Sequence, residues 1–245
     1  MFFPIGDDNS DIRITPYVNY LFLAANVVVF VLLQEMGSNE VFTNTYSLTP
    51  AEITTGTDLI GPQIVQAPLG ELVEIMHFES AYNVNFHFLS SMFMHGSFGH
   101  LFGNMLFLWI FGDNLEDRIG HLKFILFYLL CGVGAGVAQI VTDSGSIVPM
   151  LGASGAISGV LGAYVALFPK RKVKAIVLGR IMIIPAIIVL GIWFGMQVVF
   201  SLITPAGVGG VAYAAHIGGF IVGLVLIKLF SIGTGPDRGA NPFYQ

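Results

Sequence analysis

All ten Lys and Arg residues of this chain fall on one side of six apolar stretches, and that segregation constrains the fold more than any other feature. The stretches run at about 17–33, 98–112, 124–141, 149–168, 181–203 and 211–230, each near the length that crosses a hydrocarbon layer. Arg13 precedes the first, and Arg118 and Lys123 lie between the second and third. Lys170, Arg171, Lys172, Lys174 and Arg180 separate the fourth from the fifth, and Lys228 and Arg238 follow at the end. The other three connections carry none. Because basic residues are retained in cytoplasmic loops, the pattern predicts six spans with both termini in the cytoplasm. An odd number of spans would destroy it.

Composition enters as a check. With 55% hydrophobic and 10% charged residues, the chain lies far from a soluble domain, where about 25% of residues are charged. The net charge of −5 says little about partners once it is split by side. The basic cluster 170–180 is explained by topology, so nucleic-acid binding has no support. Segment 1–16 is acidic and polar, which predicts no cleaved signal peptide. Cys131 is the single cysteine and lies in an apolar run, so neither a disulfide framework nor a thiolate metal cluster is expected.

The predicted fold class is an all-α membrane protein, a six-transmembrane-helix bundle spanning 17–230, with a cytoplasmic segment 1–16 before it and a cytoplasmic tail 231–245 after it. The connection 34–97 forms a long first outer loop. It carries Thr-Pro, Gly-Pro and Ala-Pro turn signals and two hydrophobic pieces, 69–78 and 86–94, too short or interrupted to cross. These read as interfacial or partly membrane-embedded helices.

Polar residues inside spans are costly to bury and are candidates for function. The fourth span opens on Gly152-Ala153-Ser154-Gly155-Ala156-Ile157-Ser158-Gly159. Small residues four apart permit close helix packing, and a serine flanked by glycines also suits a nucleophile that a substrate must approach. In the sixth span His216 shares a helical face with Gly219 and Gly223, which opens that face to a neighbouring helix. Ser154, His216 and Asn104 each lie five or six residues from the outer end of their spans, a depth on the order of 8–9 Å at 1.5 Å per residue. A serine and a histidine on tightly packed helices at one depth are the parts of a nucleophile and its base. No Asp or Glu lies within any span, the nearest being Asp143 and Asp113, so the pair is expected to act as a dyad. His100 and Asn104, four apart on the second span, and the Ser154 backbone N–H are candidate donors to an oxyanion. His87, His95 and His100 share no helical face and lack a completing carboxylate or thiolate, so neither a metal nor any other cofactor is expected.

Taken together, Gly152-x-Ser154-Gly155, Ala215-His216 with Gly219 and Gly223, the set His95, His100 and Asn104, and Glu116-Asp117-Arg118 resemble the rhomboid family of intramembrane serine proteases, over about 88–230 and in family order. Asp7-Asp8-Asn9 resembles prokaryotic members, which implies a prokaryotic cytoplasmic membrane with the active site facing the outer side. The resemblance implies that Ser154 is the nucleophile, His216 the general base, and His100, Asn104 and the Ser154 N–H the oxyanion donors. His95, Glu116, Arg118 and the glycines Gly152, Gly155, Gly219 and Gly223 would support the structure. Single-span membrane proteins in the lipid bilayer would be the substrates, and the fifth span a mobile gate. Many members place an aromatic residue four after the nucleophile, stacked on the histidine, where this chain has Ser158. A Ser158 hydroxyl bond to His216 is one replacement, and Tyr213, Tyr164 and Phe220 are others. Two further readings are a non-catalytic rhomboid-like protein that binds transmembrane helices, whose relatives typically lack the Ser or His, and a transporter using His216 as a proton relay. The transporter lacks an intramembrane carboxylate and duplicated halves.

Overall fold

A computed structural model describes residues 2–66, 70–204 and 210–233. Most of the expected tail 231–245, with Arg238, lies outside them, as do Met1, Leu69 of the expected 69–78 piece and part of the connection ahead of the sixth stretch. The elements run β1 (Phe2–Asp7), α1 (Tyr17–Val28, continued by a π-helical turn Val29–Leu33), α2 (Glu40–Tyr46), α3 (Pro50–Thr55), β2 (Gly61–Gln66) and β3 (Leu72–His77). They continue as α4 (His87–Ser90), α5 (Phe98–Ile119), α6 (His121–Thr142), α7 (Ser154–Leu167), β4 (Lys172–Val177), β5 (Arg180–Pro185), α8 (Ala186–Ile203) and α9 (Tyr213–Phe230). Each expected apolar stretch coincides with one helix, although α5 runs on past 112 to Ile119, α6 extends over His121–Thr142 and α7 begins only at Ser154, five residues into 149–168. By length and apolarity α6, α8 and α9 are sufficient to cross a membrane, and Tyr17–Leu33 and α7 are shorter apolar helices.

Two small sheets depart from the all-α expectation. The piece 69–78, expected as an interfacial helix, contributes β3, which pairs antiparallel with β2 from Gly61↔His77 to Gln66↔Leu72. Runs this short, rich in Val and Ile and bounded by Gly-Pro, satisfy their backbone groups by pairing with each other. The segment 86–94 forms short helical turns. The second sheet has the order β1-β4-β5. Its β4–β5 hairpin turns on Leu178 (φ 49°) and Gly179 (φ 79°), the positive-φ pair that a two-residue turn between twisted strands requires. Alternation in β4 buries Val173 and Ala175 and turns Lys172 and Lys174 outward. The fifth helix therefore starts at Ala186 rather than at 181.

β1 ties the N-terminal segment to the bundle. Asn114 Nδ2 on α5 donates to Asp7 Oδ2 at 2.8 Å and to Asn9 Oδ1 at 2.7 Å, and the Tyr164 hydroxyl on α7 donates to Asp7 Oδ2. Glu116, fully buried on α5, accepts from the Val18 and Asn19 N–H groups at 2.9 and 2.7 Å. It thereby caps α1, whose first N–H groups have no intrahelical partner and whose N-terminus favours negative charge. Around these ties the core packs Phe22, Phe111, Phe124, Phe127, Tyr128, Leu161 and Tyr164 from α1, α5, α6 and α7.

The loop 34–97 is pinned to the approach to α7. Leu48 and Met150 exchange two backbone hydrogen bonds of 2.9 Å. Beneath this bridge Glu52, buried on α3, faces His77 Nδ1 at 3.6 Å and His87 Nδ1 at 3.7 Å. Burial alone would push the Glu52 carboxyl up. The two facing imidazoles and the Leu59 N–H outweigh it and hold the group at about 2.

The helices that matter for function meet at glycine. A Cβ on Gly219 of α9 would overlap the Gly155 carbonyl oxygen of α7, one on Gly223 the Gly159 carbonyl oxygen, and one on Gly162 the Phe220 carbonyl oxygen. Backbone thus touches backbone along the whole α7–α9 crossing, the close approach that small residues allow within a membrane.

Candidate active site

Three helix starts and one helix face build the site. Ser97 caps α5, its Oγ accepting from the His100 N–H at 3.1 Å, and Gly96 N–H donates to His100 Nδ1 at 3.4 Å. That contact makes Nδ1 the acceptor, so the imidazole proton sits on Nε2. Gly152, whose N–H donates to Ser91 O at 2.9 Å, leads into α7 with φ +132°. A Cβ there would lie 2.9 Å from His100 Nε2, so only glycine leaves that ring room and adopts this backbone. Ser154 is the first residue of α7, and its N–H belongs to the set that a helix leaves without intrahelical partners.

On α9, His216 faces back across the glycine crossing. Its Nε2 lies 2.8 Å from Ser154 Oγ, and its Nδ1 lies 2.8 Å from Gln197 Oε1 on α8. The sequence-predicted pair is therefore in hydrogen-bond contact, with a third residue that was not predicted. The Trp193 ring, one turn before Gln197, lies 6.1 Å from that of His216 at an interplanar angle of 35°.

Ser154, His216, His100, Asn104, Trp193 and Gln197 line a single cavity of about 750 Å³. Asn104 is buried and is one of the residues lining that cavity, and its Nδ2 has no hydrogen-bond partner. Buried donors normally find acceptors, so this amide is suited to an oxygen that arrives with a ligand. Asp143 reaches the same cavity but is not the partner of His216.

The remaining expected residues take supporting places. His95 is fully buried, edge-on to His100 with ring centroids 5.1 Å apart. Its backbone is clamped by Gln34, which accepts from the His95 N–H at 2.8 Å and donates to its carbonyl at 3.1 Å. Burial, with the neighbouring His100, holds the His95 imidazole down at about 3, so it stays neutral. Glu116 caps α1 as described and also meets His121 Nδ1. Arg118 lies in the last turn of α5. Among the described residues no group of three or more His, Cys, Asp and Glu side chains is placed to hold a metal ion.

Ser158 corrects one expectation. Its hydroxyl is buried and donates to the Ser154 carbonyl at 2.6 Å, one turn back along its own helix, so it does not hold His216. Nor do the other candidates take that place. Tyr164 bonds Asp7, Phe220 stacks on Phe194, and Tyr213 packs on Phe200. Gln197 was legible as an amide in an otherwise apolar stretch, a signal for function by default.

The family model described as "Rhomboid domain" matches residues 83–232, more than half of the chain and all of the helices that bear these side chains. The chain belongs to the rhomboid family. Relatives include the Rhomboid protease GluP of Bacillus subtilis (strain 168), 32% identical over 92% of this chain and 36% of its own length. Rhomboid protein 1, mitochondrial, of Saccharomyces cerevisiae is 32% identical over 56% of this chain and 39% of its own. RHOMBOID-like protein 5 of Arabidopsis thaliana is 31% identical over 64% and 47%. This rhomboid chain spans less than half the length of each of these relatives. Family and apolar helices together make it an integral membrane protein.

Proposed function

We propose that this rhomboid protein is an intramembrane serine endopeptidase that cleaves transmembrane segments of other membrane proteins near their outer end. The observation that carries the reading is the 2.8 Å contact of His216 Nε2 with Ser154 Oγ in a cavity also lined by Asn104, whose amide nitrogen has no partner. A base within hydrogen-bond reach of a nucleophile, beside donors for the developing charge, is what acyl transfer requires.

In this mechanism Ser154 Oγ attacks the scissile carbonyl while His216 Nε2 takes its proton. The carbonyl oxygen becomes an oxyanion held by Asn104 Nδ2–H, His100 Nε2–H and the Ser154 N–H. Collapse expels the amine, which takes the proton from His216, and leaves an ester on Ser154. Water, deprotonated by His216, then hydrolyses the ester. A second, smaller pocket of about 40 Å³ lies beside Ser154 between Gly132, Gly136, Gly152 and Ala215. Its size favours a small side chain such as Ala on the N-terminal side of the cut. Six spans with both termini cytoplasmic would place the cavity on the outer side, in keeping with the segregation of basic residues.

The test is cleavage of a single-span reporter by purified, detergent-solubilised protein beside Ser154→Ala and His216→Ala. Cleavage by the parent that both substitutions abolish and a chelator leaves intact supports the proposal. Cleavage by Ser154→Ala at the parent rate removes it, and a folded parent that cleaves no reporter while still binding transmembrane peptides favours the non-catalytic reading.

A further inference from the structure

The group that orients the base sits on a different helix from the dyad. Resting on the Ser154–His216 reading above, we infer that Gln197 is a positioning residue for His216, so that the base is correctly set only while the C-terminal half of α8 is seated on the bundle.

A neutral imidazole carries one proton. To accept the Ser154 hydroxyl proton, Nε2 must be bare, so the proton belongs on Nδ1 and needs an acceptor there. Gln197 Oε1, 2.8 Å from Nδ1, is that acceptor. It is neutral, which suits a membrane interior where an isolated carboxylate is expensive. Trp193, four residues earlier on the same helical face, lies against the imidazole ring. One helix therefore holds the base both through its Nδ1 and along its ring, the role that an aromatic residue at 158 would otherwise share.

That helix is unevenly attached. Its buried residues, Ala186, Val189 and Leu190, all belong to the N-terminal half. In the other half Val199, Phe200, Leu202 and Ile203 are exposed, and a Cβ on Gly195 would meet nothing within 4 Å. The stack of Phe194, at the middle of α8, on Phe220, with ring centroids 4.5 Å apart, and the Phe200–Tyr213 ring contact hold this half in place. Ser154 and His216 ride on α7 and α9, which the glycine crossing locks together. Moving the loose half of α8 by about 1 Å would stretch the Gln197 contact past hydrogen-bond range and leave the Ser154–His216 distance unchanged. Seating of α8 thereby sets the tautomer of the base without altering the presence of the dyad.

The experiment measures kcat, KM and the pH profile of reporter cleavage for the parent, Gln197→Leu, Gln197→Glu, Phe194→Ala and the Gln197→Leu/Phe194→Ala double variant, with Ser154→Ala as control. Gln197→Leu is expected to lower kcat about tenfold, the effect of one neutral hydrogen bond, with KM within twofold. Gln197→Glu keeps an acceptor at the same reach. It is expected to restore kcat and to move the acid limb of the profile to higher pH, since a carboxylate favours the imidazolium. The other titratable groups lining the cavity, His100, Asp143 and Tyr213, are common to all variants and cannot produce that difference. Phe194→Ala is expected to lower kcat by loosening α8, and to add little to Gln197→Leu. An unchanged kcat in Gln197→Leu, a loss confined to KM, or a Gln197→Glu variant with the rate and profile of Gln197→Leu overturns the positioning role. Strictly additive effects of Gln197→Leu and Phe194→Ala overturn the coupling to α8. Cleavage by Ser154→Ala at the parent rate removes the dyad reading itself, a distinct outcome.

Discussion

Gly223→Ala asks whether the α7–α9 crossing sets the geometry of the Ser154–His216 pair. A methyl group at Gly223 would stand 2.5 Å from the Gly159 Cα and closer still to its carbonyl oxygen, where ordinary contact begins near 3.4 Å. Both obstacles are backbone, so neither can swing aside, and the helices must part by about 1 Å at that level, an overpacking that costs roughly 1–3 kcal/mol. His216 lies two turns away on the same rigid helix. Carried along it, the displacement lengthens the 2.8 Å contact to Ser154 to about 3.8 Å, beyond a hydrogen bond, and a misplacement of about 1 Å can cost on the order of 100-fold in rate. The assay pairs thermal unfolding with kcat/KM on a single-span reporter. Both are expected to fall in Gly223→Ala and to hold in Gly191→Ala, whose added methyl meets open space. A Gly223→Ala protein that melts and cleaves like the parent would refute the claim that this crossing positions the pair.

Other substitutions probe the parts separately. Asn104→Ala removes the unpartnered donor and is expected to lower kcat by about 10²–10³ with little change in KM, as for a main oxyanion donor; an effect on KM alone would place Asn104 in substrate binding. Glu116→Ala leaves the buried Val18 and Asn19 N–H groups without acceptors and is expected to cost about 2 kcal/mol or more in stability, read by thermal unfolding. Burial pushes the Asp7 carboxyl up to about 7; Asp113 adds to the rise while the Tyr164 hydroxyl and Arg171 oppose it. The folded protein therefore holds this proton between about pH 4 and 7 while the unfolded chain has released it, so the group favours folding most at low pH and that contribution is lost as pH rises through 7. Asp7→Asn is expected to flatten the resulting fall in melting temperature between about pH 4 and 7, and an unchanged slope would assign it to other groups.

Much of this architecture was written in local pattern. Apolar runs located α1, α5, α6, α7, α8 and α9, and glycines spaced along 152–162 and 219–223 marked the crossing that brings Ser154 to His216, because close backbone approach demands residues without a Cβ. The small sheets were harder to read. Their strands are six residues long, too short for periodicity to separate strand from helix, and β1 reaches β4 across more than 160 residues of chain. Ser158 shows the other limit. Which buried hydroxyl bonds a neighbouring helix and which turns back to its own carbonyl depends on packing, and Ser158 turned back. Gln197 was visible as a polar residue in an apolar run, but its role depends on how α8 lies against α9.

The most direct test of the central claim is labelling with a serine-directed fluorophosphonate, with the modified residue identified by mass spectrometry. The account predicts a single adduct on Ser154, and loss of labelling when His216 is replaced by Ala in protein that remains folded. Labelling of another serine, or equal labelling of Ser154 without His216, would contradict a Ser154–His216 nucleophile and base.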